Sequence, residues 1–224
     1  MPGTARSPRR PPLDTPPVTV VPPCAPARIV VLASGTGSLL QALLAATAAP
    51  GYPGSVVGIV ADRDCRAVHI AAEAGLPATV VRLGDHPGRA AWDDALLTAV
   101  DGLAPDLVVA AGFMKLLGPG FIRAYGGRVI NAHPALLPAF PGAHAVPDAL
   151  AYGVAVTGST VHLVDDGLDT GPILAQEPVA VQAGDTVETL HERIKVVERR
   201  LLAEVVADVA VRGYTLEGRK VTLR

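Results

Sequence analysis

The sequence predicts one α/β domain with a mostly parallel, twisted sheet, helices on both faces and an antiparallel C-terminal portion. Three observations lead there. Short β-branched runs alternate with stretches of helical spacing between residues 28 and 131, and those runs are apolar almost without interruption. Beyond residue 153 the rhythm changes to two longer alternating strands, one long helix and a terminal hairpin. Crossover helices cover both faces of a parallel sheet, so its strands read as continuous Val/Ile/Leu runs, and the crossovers are expected to be right-handed.

In chain order, residues 1–26 carry prolines at 2, 8, 11, 12, 16, 17, 22, 23 and 26 and no apolar h-region. They are expected to form neither a signal peptide nor a helix, but a disordered Pro-rich extension to an ordered domain spanning 27–224. "RIVVLA" (28–33), "SVVGIVA" (55–61), "ATVVRL" (78–83), "DLVVAAG" (106–112) and "RVIN" (128–131) are the expected parallel strands. "SLLQALLAAT" and "CRAVHIAAEAG" have helical spacing between them. "VAVTGSTVHLV" (154–164) and "GPILAQEPVAV" (171–181) are joined by a tight acidic turn. A helix from about Thr186 to Arg212 and the "YTLEGRKVTL" hairpin complete the chain. There is no internal repeat and no transmembrane span.

Length, charge and cysteine content narrow the function. A chain of 224 residues, half of them apolar, buries one substantial core. Nineteen basic against twenty-one acidic residues leave a formal charge of -2, and the basic runs stop at Arg9-Arg10 and Arg199-Arg200. No nucleic-acid footprint and no membrane partner are expected; the partner is a small molecule. Cys24 and Cys65 lack metal or CxxC spacing, which fits a reducing cytoplasm.

In an open α/β sheet ligands bind beyond the carboxyl ends of the strands, and that rule selects the candidate residues. "ASGTGSLLQALL" sets Gly35 and Gly37 between a strand and a helix, where free N–H groups and the helix dipole suit an anion. An ordinary glycine turn with Ser38 capping the helix is the alternative. A dinucleotide fingerprint wants glycine or alanine where Leu40 stands, so a monophosphate fits better than NAD. Asn131 and His133 alternate with Ala132 at a strand end, pointing the same way ahead of Pro134, Pro138 and Pro141. An amide donor beside a titratable imidazole suits oxyanion stabilisation; a turn cap and a polar-pocket histidine are the bland alternative.

"VDDGLDTGP" adds Asp165, Asp166 and Asp169, any one of which would favour the imidazolium form if it faced His133. Which one does so is open at this level, and most acidic turns are only solvated turns. "GFMKLLGPGFI" (112–122) can line a flat cavity for a fused ring or pack in the core. Lys195 and Glu198, one helical turn apart, have the spacing of a surface salt bridge.

"VLASGTGSLLQALL", "DLVVAAGFMKLL", "INAHPALLPAFPG", "HLVDDGLDTGPILAQ" and "KVVE" occur in an order that resembles the phosphoribosylglycinamide formyltransferases, folate-dependent enzymes of purine synthesis. The resemblance covers residues 28 to about 212, and its third and fourth motifs are specific to the folate formyl-transfer fold. It implies Asn131, His133 and Asp169 as the catalytic set. It places Gly35, Thr36, Gly37, Ser38, Leu39 and Lys195 at the ribose phosphate and Glu198 at the glycinamide or ribose. It assigns Arg89, Met114, Lys115, Leu116, Leu117, Asn131 and the turn of Asp165 and Asp166 to 10-formyltetrahydrofolate, the co-substrate, with no metal.

The sequence departs from the family at Leu39, where members often carry asparagine, so phosphate contacts there must come from backbone N–H. It departs again at Ala139, where many carry a basic or polar side chain, and in "AHAVPDAL". The implied reaction is attack by the amine of glycinamide ribonucleotide on the formyl carbon, with Asn131 and protonated His133 stabilising the oxyanion and Asp169 keeping His133 charged. The rivals are a methionyl-tRNA formyltransferase, which adds a C-terminal tRNA-binding domain, a formyltetrahydrofolate hydrolase, which adds a regulatory domain, and a non-catalytic nucleotide-binding α/β protein. Length disfavours the first two, and a homodimer is left open.

Overall fold

A computed structural model describes residues 18–224. Its elements in chain order are β1 (Val18–Val21), β2 (Ala27–Ala33), α1 (Ser38–Thr47), β3 (Gly54–Ala61), α2 (Arg66–Glu73) and β4 (Ala78–Val80). After a 3-10 turn at Leu83–Asp85 come α3 (Arg89–Asp101), β5 (Leu107–Ala110), α4 (Pro119–Tyr125), β6 (Val129–His133) and α5 (Ala145–Tyr152). The chain continues with β7 (Val156–Leu163), β8 (Ile173–Ala180), α6 (Val187–Arg212), β9 (Tyr214–Glu217) and β10 (Lys220–Leu223).

The main sheet has the order β4-β3-β2-β5-β6-β7-β8. Strands β2 to β6 pair in parallel, while β7 and β8 join antiparallel. The expected parallel core with an antiparallel C-terminal part is what forms. Alternate residues of β2 explain its unbroken apolar run: Ile29 and Val31 pack with Leu40, Leu43 and Val206 on one face, Val30 and Leu32 with Trp92, Leu96 and Phe121 on the other. Trp92, fully buried, keeps its indole N–H satisfied by donating to the Val81 carbonyl at 2.7 Å. Helix α6 starts on Thr186, whose side chain accepts from the Thr189 N–H in a reciprocal capping box. No helix among the described residues is long and apolar enough to cross a membrane.

The extension expected over residues 1–26 is corrected from residue 18 onward; residues 1–17 lie outside the described part. Val18–Val21 pairs antiparallel with Tyr214–Glu217, making with β10 a second, three-stranded sheet. The Cys24 N–H donates to the Ala210 carbonyl at 2.9 Å. The buried Tyr214 ties this sheet to the main one by donating its hydroxyl proton to the Gly127 carbonyl. Gly213 (φ +61°) lets the two chains close, since a Cβ there would stand 2.3 Å from the Val21 carbonyl oxygen. The proline density hid this strand. "VTVV" is β-branched, and an edge strand tolerates flanking prolines because its outer N–H groups need no partner.

This docking has a measurable weight. A chain starting at Ala27 should melt about 4–8 °C below one starting at Val18, as expected for the loss of ~2 kcal/mol in a domain of this size. Thermal unfolding of the two forms measures it, and coincident curves would show that β1 adds nothing to the fold.

Candidate active site

The carboxyl ends of β2, β5 and β6 and the β7–β8 turn converge on a cavity of about 460 Å3, walled on its remaining side by α6. β2 enters α1 through Gly37, at φ +75°; a Cβ at this position would lie 2.6 Å from Ile70 Cδ1 and 3.0 Å from the Ala67 Cα. Only glycine fits. No side chain caps α1, so Ser38 is not the cap that an ordinary turn would use, and Gly35, Thr36, Gly37 and Ser38 line the cavity. Leu39 also reaches the lining, although its side chain is buried in the core.

The register of β6 against β7 sets Asn131 opposite His162 and His133 opposite Thr160. Asn131 Nδ2 lies 3.1 Å from His162 Nε2, and His162 Nδ1 donates to the Leu163 carbonyl at 2.9 Å. With Nδ1 carrying the proton, Nε2 accepts one amide hydrogen of Asn131 and leaves the other free. Burial pushes the His162 pKa below its ordinary value, against the raising effects of the Leu163 carbonyl and Asp169, which matches a neutral ring. His133 is also buried; its Nε2 donates to the Phe140 carbonyl at 2.8 Å and its Nδ1 stands 3.4 Å from Asp169 Oδ2. Thr160 stiffens the proline loop between them, donating to the Ala135 carbonyl at 2.7 Å and accepting from Leu137 N–H at 3.0 Å.

The three aspartates differ in where each carboxylate goes. Asp169 Oδ2 accepts the Gly142 N–H at 2.7 Å, and its Oδ1 is 3.7 Å from His162 Nε2, so this carboxylate sits between both imidazoles. Its φ of +53° is a left-handed conformation that aspartate adopts more readily than most residues. Asp165 instead accepts the Gly167 N–H at 3.1 Å and the Thr170 hydroxyl at 2.6 Å, as turn chemistry does, and Asp166 is exposed.

The 112–122 run divides between the two uses open to it. Met114 and Leu116 are exposed at the cavity mouth with Lys115, whereas Phe113, Leu117 and Phe121 pack into the core. Leu117 reaches the lining as well. The Met114 N–H donates to Ser34 Oγ at 2.9 Å, and the Ser34 hydroxyl donates in turn to Asp62. Burial pushes the Asp62 carboxyl up, but hydrogen bonds from Arg63 and Ser34 and the charges of Arg63 and Lys115 outweigh it, leaving it below the usual carboxylate range. Arg89 does not reach the cavity lining. It pairs with Asp93 at 2.8 Å, lies 4.9 Å over the Trp92 ring and donates to the Leu116 carbonyl, bracing the wall from behind.

On α6, His191, Lys195 and Glu198 line the cavity. The Lys195–Glu198 salt bridge that their spacing allows is not formed. Lys195 pairs with Glu192 at 2.7 Å, while burial pushes the Glu198 carboxyl up to about 7 against the opposing charges of Arg199 and Lys195. Sequence reasoning passed over His162, Ser34, Asp62 and His191. Only His191 carried a local signal, one helical turn before Lys195. Among the described residues no group of three or more His, Cys, Asp or Glu side chains could hold a metal ion.

A family model described as formyl transferase matches residues 27–206. The chain belongs to the formyl transferase family. Among formyl transferases it is 64% identical over 203 residues to a phosphoribosylglycinamide formyltransferase of Mycobacterium tuberculosis, covering 91% of this chain and 94% of that protein. It is 37% identical to the Bacillus subtilis protein of the same name, over 80% of this chain and 92% of that one. Glycinamide ribonucleotide transformylase 1 from Symbiobacterium toebii superposes with a TM-score of 0.86 at 41% identity, over 88% of this chain and 93% of that structure.

Glu198 makes stability depend on pH. The unfolded carboxyl ionises near 4.5 and the folded one near 7, so folding takes up a proton between these values and wild-type stability falls as pH rises through them. Glu198→Gln should therefore match wild type near pH 4.5 and exceed it above pH 7 by at most about 3 kcal/mol. Urea unfolding at pH 5 and pH 8 measures this, and a constant difference would place the carboxylate in solvent.

Proposed function

We propose that this formyl transferase moves the formyl group of 10-formyltetrahydrofolate to the primary amine of 5-phosphoribosylglycinamide, giving N-formylglycinamide ribonucleotide in purine synthesis. The observation that carries the reading is the placement of one carboxylate, Asp169, within 3.4 Å of His133 and 3.7 Å of His162, with Asn131 bonded to His162. The 64% identity to a phosphoribosylglycinamide formyltransferase selects the acceptor. We place the catalytic unit at residues 18–224, acting in the cytoplasm, where the free Cys24 and Cys65 remain reduced.

The folate supplies a formyl carbon bonded to nitrogen, and the amine adds to it, leaving a tetrahedral oxyanion. Asn131 offers that oxygen its second amide hydrogen. His133, held through Nε2 by the Phe140 carbonyl, keeps Nδ1 3.4 Å from Asp169 Oδ2, too long for a well-made hydrogen bond, so that in its imidazolium form Nδ1–H is available to the same oxygen. The Asp169 carboxylate, 3.4 Å from His133 Nδ1, is the base placed to carry the proton from the attacking to the departing nitrogen. As the carbon–folate nitrogen bond breaks, that nitrogen takes the proton and the formyl group stays on the amine. Met114, Leu116 and Leu117 offer the apolar wall for the fused ring, and the 35–38 loop with Lys195 receives the phosphate.

Incubating the protein with both substrates and following loss of formyl-folate together with the formylated ribonucleotide tests the reading; no product means a different acceptor. His133→Ala should lower kcat by about 100-fold or more while the ribonucleotide KM shifts only a few-fold, since the lost contact belongs to the transition state. Asp169→Asn should cost a similar factor. Asp165→Asn should stay within about threefold of wild type, because the amide oxygen still accepts from Gly167 and Thr170. Equal losses at 165 and 169 would return both aspartates to turn chemistry.

A further inference from the structure

The phosphate end of the cavity is short of positive charge. A phosphate monoester carries about -1.5 to -2 near neutral pH. Helix α1 brings its dipole and N–H groups with the Thr36 and Ser38 hydroxyls, but Leu39 buries its side chain in the core and adds no donor of its own. Lys195 supplies one charge, part of which Glu192 already offsets at 2.7 Å. Glu198, buried and without a hydrogen-bond partner among the described residues, lines the same cavity and opposes an anion whenever it ionises.

His191 stands four residues before Lys195, on the same face of α6 and on the same wall. The charged groups that act on it are Lys195 and Glu192, both on its own helix. Of the elements packed against α6, α1 contains no charged residue, β6 and β7 bring His133 and His162 to the same cavity with Asp165 and Asp169 from the following turn, α5 carries Asp148 and β8 carries Glu177, and Glu198 is the titratable group one turn beyond Lys195. Burial and then the Lys195 charge push the imidazole below its ordinary value, against a weaker opposing effect of Glu192. Both effects favour the neutral ring in the empty cavity, which can accept a proton when a dianion arrives.

We propose that His191 is a phosphate ligand, closing with Lys195 the anion subsite that the N-terminus of α1 opens. The proposal rests on the functional reading above and names the residue that binds the ribonucleotide's phosphate as a proton-taking cation. No bond to carbon or phosphorus changes; one proton from solvent joins the imidazole as the phosphate seats.

The test uses the full chain with His191→Ala and His191→Gln, both checked for wild-type melting. At pH 6.5 the ribonucleotide KM should rise about tenfold in each variant, with kcat and the formyl-folate KM within about twofold of wild type. Inhibition by inorganic phosphate should weaken in parallel. At pH 8 the difference should shrink, because charging the wild-type ring there costs more. A ribonucleotide KM unchanged at pH 6.5, or a rise shared equally by the folate, overturns the assignment. Should the wild type form no product, the functional reading fails separately. Calorimetry of inorganic phosphate in two buffers of different ionisation enthalpy then decides this one: proton uptake that is smaller in His191→Ala than in wild type supports it, and equal uptake in both sinks it.

Discussion

The antiparallel pairing of Val129–His133 with Val156–Leu163 is the constraint on which the site rests. Strands alternate side chains with a period of two, so this register alone decides that Asn131 meets His162 and that His133 lies on the same side. A slip of one residue between the two strands would put His162 on the opposite face from Asn131 and His133. The two-way burial of the neighbouring parallel strands holds the register. Val108 and Val109 of β5 pack on opposite faces and pair with Val129 and Ile130 of β6, which do the same. The antiparallel return of β7 then brings its following turn, with Asp169, back over the end of β6.

Electrostatics at this site consists of buried groups made tolerable by specific partners, and of one that has none. His162 is paid for by two hydrogen bonds that define its tautomer. Asp62 is held by Arg63 and Ser34, and through Ser34 it steadies the Met114 backbone at the cavity mouth. Arg89 reaches the Leu116 carbonyl from the Trp92 side. The wall is thus braced from two strands and a helix, with Met114 and Leu116 exposed at the cavity. Glu198 is the exception, a nearly fully buried carboxyl that lines the cavity and whose pKa burial raises to about 7.

The small sheet of β1, β9 and β10 extends the same logic away from the site. Tyr214 is fully buried in the core face shared with α1, α2 and α6, and its hydroxyl reaches the Gly127 carbonyl just before β6. The segment after α6 therefore braces the start of the strand that carries Asn131 and His133. Val18–Val21 covers the outer edge of β9, which would otherwise present unpaired backbone groups.

By itself, the sequence determined what neighbours along the chain can encode. The β-branched runs specified the parallel strands, Gly35 and Gly37 marked the turn that enters α1 and lines the cavity, and the alternation of Asn131 with His133 marked the polar strand end. Its motif order also pointed to the family. The tertiary structure decided whatever depended on distance across the sheet. It set Asp169 rather than Asp165 or Asp166 beside His133, brought in His162, gave Lys195 to Glu192 rather than Glu198, kept Arg89 behind the wall and drew "VTVV" out of a proline-rich stretch into a strand. Periodicity and turn chemistry are local properties of the chain. Register, burial and the meeting of charges are set by contacts between residues 31, 78 or nearly 200 positions apart, which no local pattern contains.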